Sequence, residues 1–119
     1  MKRLLVIDDD SDLLTALELS LLKEGFTVKT LTSCESGIEI LDEFSPNLVL
    51  LDVNIGTEDG RTFCRQVKNR AESQHIPVIL ISGNADQLLN YHEVGAISSL
   101  PKPFDMPQIL EKINSVIAP

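Results

Sequence analysis

Six polar residues stand just behind short segments that read as strands in this chain. Asp8, Asp9 and Asp10 follow Leu4–Ile7, Asp52 follows Leu48–Leu51, Ser82 follows Val78–Ile81, and Lys102 comes two residues after Ile97–Leu100. Taken singly, each has an ordinary structural use. An Asp after a strand often caps the next helix, a Ser often opens a turn, and a Lys before a Pro usually sits in solvent. Taken together they describe something else. Carboxylates gathered in one crevice repel each other by about 4 kcal/mol per pair at ~4 Å and a surface-like dielectric, so the set calls for a cation. Hard oxygen ligands select Mg²⁺ or a similar ion. A Lys opposite them adds a second positive charge. The guest that suits a metal, an ammonium and a hydroxyl at once is a phosphoryl group.

That chemistry requires the six positions to converge, which depends on the elements carrying them. Leu4–Ile7, Leu48–Leu51 and Val78–Ile81 are unbroken apolar runs, as expected of strands covered on both faces. Val28–Leu31 is a weaker strand nearer an edge, and Ile97–Leu100 a shorter fifth one. Helical spacing fills the gaps. Leu13, Leu14, Leu17, Leu21 and Leu22 form one stripe, capped by Asp10 or Ser11 and stopped by Gly25. Ser33 can cap a second helix carrying Ile38, Leu41 and Phe44, and Phe63, Cys64 and Val67 mark a third. Leu88, Leu89 and Val94 mark a fourth helix ended by Gly95. Asp105 caps a fifth with Ile109, Leu110, Ile113, Val116 and Ile117, with Pro107 in its first turn. Strict strand–helix alternation predicts an α/β fold, a doubly wound five-stranded parallel sheet with five helices and right-handed crossovers. In such sheets the site lies beyond the carboxyl ends of the strands, where the six residues stand.

The bulk numbers bound the partners. A chain of 119 residues predicts a single domain over 1–119, and 43% apolar residues with no Trp predict an aliphatic core. A net charge of −8 argues against direct binding of nucleic acid or an anionic membrane, both of which need basic patches. Cys34 and Cys64 lack metal-ligand spacing and read as reduced, semi-buried residues of a cytoplasmic protein. Met1-Lys2-Arg3 followed by apolar residues faintly resembles a secretory leader, but the run stops at Asp8, short of the ~7–15 apolar residues such a leader needs. Met1 favours a natural N-terminus, and a stand-alone chain and a piece of a longer one both remain open.

In order along the chain, Leu4-Leu5-Val6-Ile7-Asp8-Asp9-Asp10, Leu50-Leu51-Asp52, Asp59-Gly60, Pro77-Val78-Ile79-Leu80-Ile81-Ser82, Gly95-Ala96 and Lys102-Pro103-Phe104 resemble the pattern of response-regulator receiver domains over essentially the full length. The resemblance implies a flavodoxin-like sheet of order 2-1-3-4-5. It implies that Asp52 is the phosphoacceptor, that Asp9 binds Mg²⁺ directly and Asp8 mainly through water, and that Asn54 lends its backbone carbonyl to the same ion. Ser82 would donate to one phosphoryl oxygen and Lys102 would pair with another, with a cis Lys102–Pro103 bond. A histidine kinase or a histidine phosphotransfer protein would be the donor. A downstream protein or output domain would meet the face made by the fourth helix, fifth strand and fifth helix.

Two positions depart from that pattern. Gly56 stands four residues after Asp52, where a Pro is usual, which predicts a freer loop. Ser99 stands three residues before Lys102, where an aromatic is usual, so switching should run chiefly through the Gly83–Val94 segment and reach Tyr91. Two other readings compete. One is a receiver-like docking module that takes no phosphate; such modules normally lose the acidic pair, the acceptor or the Lys, and all are present here. The other is a Mg²⁺-dependent phosphohydrolase of the haloacid-dehalogenase type, for which the chain is short and a second acidic pair is missing after the fourth strand. The expectation is therefore not an enzyme that turns over substrate, but a domain catalysing only its own phosphorylation and slow dephosphorylation.

Overall fold

Four of the five expected strands form where expected, and the fifth shifts by one residue. In the computed structural model, which describes residues 2–117, the main sheet is built from β1 (Arg3–Ile7), β2 (Thr27–Leu31), β3 (Leu48–Asp52), β6 (Val78–Ser82) and β7 (Ser98–Pro101). All pairings are parallel and the order is β2-β1-β3-β6-β7, which is the expected 2-1-3-4-5 when only main-sheet strands are counted. Outside it, β4 (Asn54–Ile55) and β5 (Glu58–Asp59) form a small antiparallel hairpin just after Asp52.

Side-chain alternation divides the core into two layers. Leu5, Ile7, Val49, Leu51 and Leu80 face one way, toward α2 (Gly37–Phe44) and α3 (Gly60–Lys68), meeting Leu41, Phe63 and Val67. Leu4, Val6, Leu48, Leu50, Ile79 and Ile81 face the other, toward α1 (Ser11–Lys23) and α4 (Met106–Val116), meeting Leu14, Leu17, Leu21, Ile109 and Ile113. Each fully buried Leu, Ile or Val contributes about 1.5–3 kcal/mol by leaving water, so the central strands are rigid supports for whatever stands at their ends. The edge strand β2 is only half-buried and exposes Lys29.

The caps explain the helix limits. Asp10 accepts from the Asp12 and Leu13 amides, and Gly25, at φ +94°, donates to the Leu22 carbonyl to close α1. Asp105 and Gln108 form a reciprocal capping box at the start of α4. Leu22, expected in the apolar stripe of α1, is half exposed.

Two helix expectations are corrected. The second helix is not capped by Ser33. Its hydroxyl accepts from the Glu35 amide in a preceding turn, and α2 begins only at Gly37, where the backbone presses onto the Phe63 ring so closely that a Cβ would lie 2.5 Å from it. The fourth helix is absent, leaving four α-helices among the described residues: Ala85–Leu88 and Tyr91–Val94 are two separate 3₁₀ turns. Asn84 and Asn90 each open one, and Asn favours such turns over helix interiors. Leu88 and Val94 are buried while Leu89 is 68% exposed, so no helical stripe exists to hold a continuous helix. Gly95, at φ +92°, ends the segment as expected.

Both cysteines are free, Cys34 partly buried and Cys64 fully so. Burial, then the Glu58 charge, pushes the Cys34 thiol up to about 12, and burial pushes Cys64 up to about 11, so neither presents a reactive thiolate. Among the described residues no helix is long and apolar enough to cross a membrane.

Candidate functional site

Three central strands deliver their last residues to one crevice. Asp8 leaves β1 with its amide on the Leu31 carbonyl (3.1 Å), Asp52 is the last residue of β3, and Ser82 is the last of β6. β7 ends at Pro101, and the Lys102 amide is tied to the Ser82 carbonyl at 2.8 Å, which aims the Lys102 side chain back across the strand ends. The Lys102–Pro103 peptide is cis.

Lys102 stands between two buried acids. Its Nζ lies 2.8 Å from Asp8 Oδ2 and 2.9 Å from Asp52 Oδ2, and both carboxylates are almost wholly removed from solvent. Burial raises the Asp52 carboxyl above the ordinary carboxylate range, and the neighbouring Asp8 charge adds to this against the opposing pull of Lys102. Burial works against the Lys102 ammonium, but its hydrogen bonds to Asp8 and Asp52 prevail and raise it. One cation thus serves two acids.

Exposed Asp9 completes the acidic group: oxygens of Asp8, Asp9 and Asp52 all lie within 4.8 Å of one another. The remaining oxygens are aimed by backbone donors. Asp8 Oδ1 accepts from the Asp10 amide (2.9 Å), Asp9 Oδ2 from Gly56 (2.8 Å), and Asp52 Oδ1 from Asn54 (3.3 Å). An all-oxygen carboxylate set with an open exposed side fits Mg²⁺, which prefers few protein ligands and keeps several waters. When bound, such an ion supplies positive charge that offsets the carboxylates and any phosphoryl oxygens beside them.

Asp59-Gly60 has a steric role here. The Gly60 amide donates to the Val53 carbonyl at 2.7 Å, and a Cβ on Gly60 would lie 2.0 Å from the Asp52 carbonyl oxygen. Only Gly allows α3 to start this close to the end of β3.

The structure brings together Asp8, Asp9, Asp52 and Lys102. Ser82 and Asn54 meet through a residue that sequence reasoning missed. The Ser82 hydroxyl donates to Gln87 Oε1 (2.7 Å), and the Gln87 carboxamide pairs with the Asn54 side chain through Asn54 Nδ2 to Oε1 (2.7 Å) and Nε2 to Asn54 Oδ1 (3.0 Å). The available signal was Asn84-Ala85-Asp86-Gln87, a capping residue with Gln three positions on. Here Asn84 does cap, by accepting from the Asp86 amide, but Gln87 reaches into the site instead of back to the cap.

The sequence and the fold both have known relatives. The family profile described as "Response regulator receiver domain" matches residues 4–114. The transcriptional regulatory protein AfsQ1 of Streptomyces coelicolor is 39% identical over 119 residues, covering 98% of this chain and 52% of AfsQ1. The transcriptional regulatory protein CseB of Streptomyces avermitilis is 31% identical, covering 95% of this chain and 48% of CseB. The chain thus spans about half the length of these curated relatives. Among solved structures, a protein assigned as a response regulator from Chloroflexus aurantiacus superposes with a TM-score of 0.91 at 26% identity, covering 99% of this chain and 98% of that one. The chemotaxis protein CheY4 of Vibrio cholerae, at 20% identity, shares the fold with a TM-score of 0.88 over 98% of this chain and 99% of its own. The chain belongs to the response regulator receiver domain family of two-component systems.

Proposed function

We propose that this receiver domain, a single unit over 1–119, accepts one phosphoryl group on Asp52 from a phosphohistidine donor in the presence of Mg²⁺. The boundary residues Met1, Ala118 and Pro119 lie outside the described residues. The observation that carries the reading is the placement of Asp52: buried at a strand end, with one oxygen on Lys102 and its carboxylate inside the Asp8–Asp9–Asp52 oxygen group. In the transfer, an ionised Asp52 oxygen forms the new P–O bond while the donor's P–N bond breaks, and the bonding pair leaves with the imidazole. Lys102 is placed to take the charge of a phosphoryl oxygen. Ser82 would donate its hydroxyl to another. Asp9 directly, Asp8 through water and the Asn54 carbonyl would hold the ion.

The donor would be a histidine kinase or a histidine phosphotransfer protein, and the domain would catalyse only its own phosphorylation and slow dephosphorylation. The output is a change of the face formed by the 3₁₀ segments, β7 and α4. Ser99 is too small to act as a swinging aromatic, so Gly83–Val94 would carry the change toward Tyr91, which packs half-buried against the core. A downstream protein or output domain would read that face in the cytoplasm, without direct contact to nucleic acid or membrane.

The test is intact mass after incubation with Mg²⁺ and a small acyl or amido phosphate. Wild type should gain one phosphoryl group, lost in Asp52→Asn. A mutant that labels like wild type would overturn the acceptor assignment. No labelling at all would favour a docking module, and continuous turnover of excess donor would favour a phosphohydrolase.

A further inference from the structure

We propose that Gln87 is a positioning residue that holds the unphosphorylated form: its carboxamide claims the one hydroxyl proton of Ser82 and links it to Asn54, and phosphorylation must break that link. The inference rests on the proposed role of Ser82 as a phosphoryl donor group, and adds the group that competes with it.

A serine hydroxyl carries one donor proton. In this structure it goes to Gln87 Oε1 at 2.7 Å, while the Ser82 oxygen accepts from the Asn84 amide at 3.0 Å. Ser82 is 0% exposed, so water has no ready access to replace either partner. A phosphoryl oxygen on Asp52 can receive the Ser82 proton only if Gln87 gives it up. Gln87 Oε1 also accepts from Asn54 Nδ2, and Gln87 Nε2 donates to Asn54 Oδ1. Three hydrogen bonds therefore pin Gln87 between the end of β6 and the start of β4.

Gln87 lies inside the first 3₁₀ turn, Ala85–Leu88. Short 3₁₀ turns have poor internal hydrogen-bond geometry, and this one exposes Ala85, Asp86 and Leu89 around a single buried Leu88. The side-chain link of Gln87 is thus a main tie between this segment and the site. Loss of the Ser82 proton weakens that tie and frees the segment to move. Gln87 thereby couples occupancy of Asp52 to the position of the 85–94 region.

Gln87→Met tests this, because it keeps chain length and volume but cannot hydrogen-bond. Beryllofluoride, a phosphoryl mimic, would be titrated in saturating Mg²⁺ and followed by backbone amide shifts, with Mg²⁺ alone titrated separately. The variant should bind beryllofluoride about 2- to 10-fold more tightly than wild type, the range one neutral hydrogen bond gives. Its Mg²⁺ affinity should not change, and its free-state Ser82–Val94 resonances should move toward the wild-type bound positions. Gln87→Glu, which keeps an acceptor for Ser82, should bind no more tightly than wild type. Gln87→Ala serves as the second variant if Gln87→Met does not fold. Equal or weaker beryllofluoride binding by Gln87→Met or Gln87→Ala overturns the inference while leaving Asp52 as acceptor. Failure of wild type to bind beryllofluoride with Mg²⁺ overturns the phosphoacceptor reading itself, and the inference with it.

Discussion

The backbone N–H of Gly56 donates to Asp9 Oδ2 across 2.8 Å. Gly56 sits at φ +59° with open space around its missing Cβ, and its amide fixes the one exposed carboxylate of the acidic group. The residue that departs from the usual receiver pattern is thus a donor to the site. A Pro there would have neither the N–H nor the backbone angle, since its ring locks φ near −65°.

Two substitutions separate these roles. Gly56→Ala keeps the N–H and meets no steric neighbour, so only the left-handed backbone opposes it, at about 1 kcal/mol. Gly56→Pro must rebuild the loop and lose the Asp9 bond, at about 1–3 kcal/mol. Urea denaturation of the two variants checks the order, and a Gly56→Pro protein as stable as wild type would rule the arrangement out.

The sheet was legible because its three central strands read as unbroken apolar runs, and because Asp8, Asp52 and Ser82 end or follow such runs. The fourth helix was not. Leu88, Leu89 and Val94 look like a helical stripe only if Leu89 is buried, and it is 68% exposed. The local Asn84 cap, with Asn90 opening a second turn, wins over a weak pattern. Gln87 escaped for a related reason: a half-buried polar residue between caps has no periodicity to reveal it, and its partners Asn54 and Ser82 are distant in sequence. Lys102 was legible as a positive charge opposite the acids. Its bond to both Asp8 and Asp52 is a fact of packing alone.

Asp52→Asn should stabilise the metal-free domain at neutral pH. Burial, reinforced by Asp8, raises the Asp52 carboxyl, so the fold favours its protonated form. That contribution is fully present below the unfolded carboxyl value of about 3.9 and is lost as pH rises through the folded value. Above it, ionised Asp52 weakens the fold, and a neutral Asn removes that burden. The expected rise in Tm at pH 7 is about 2–6 °C, shrinking as pH falls into the ordinary carboxylate range. Lys102, whose ammonium is raised, stays charged across this window and adds no slope. Calorimetry at several pH values would refute the reading if the gain were constant or reversed.

Mg²⁺ should bind weakly and depend on Asp9 more than on Asp8. Asp9 is exposed and has only its Oδ2 engaged, by the Gly56 amide, whereas both oxygens of Asp8 are engaged, Oδ2 by Lys102 and Oδ1 by the Asp10 amide. At ten times its Kd, the ion should add about 1.4 kcal/mol of stability. Asp9→Ala should abolish both binding and stabilisation, and Asp8→Ala should weaken them, as read by metal titration with NMR. Unchanged affinity in Asp9→Ala would sink the assignment.

Lys102→Met should expose the conflict that Lys102 now resolves. The ammonium reaches Asp8 Oδ2 at 2.8 Å and Asp52 Oδ2 at 2.9 Å, and among the described residues no other cation forms an ion pair with either acid. Removing one member of a buried ion pair typically costs 3–5 kcal/mol. Lys102 keeps about a quarter of its side chain in solvent, which reduces this to about 2–3 kcal/mol. The fold then holds two buried carboxylates without a counter-charge, and Asp52 should take up a proton at still higher pH. Lys102 also occupies one oxygen of each acid, so its removal frees those oxygens for an added divalent ion. Mg²⁺ should therefore raise the Tm of Lys102→Met more than that of wild type, even as phosphoryl uptake falls because an oxygen of the incoming group has lost its cation. The two readouts move in opposite directions only if Lys102 both balances the acids and contacts the phosphoryl group. A variant that keeps wild-type stability without Mg²⁺ would show that the two acids do not depend on Lys102.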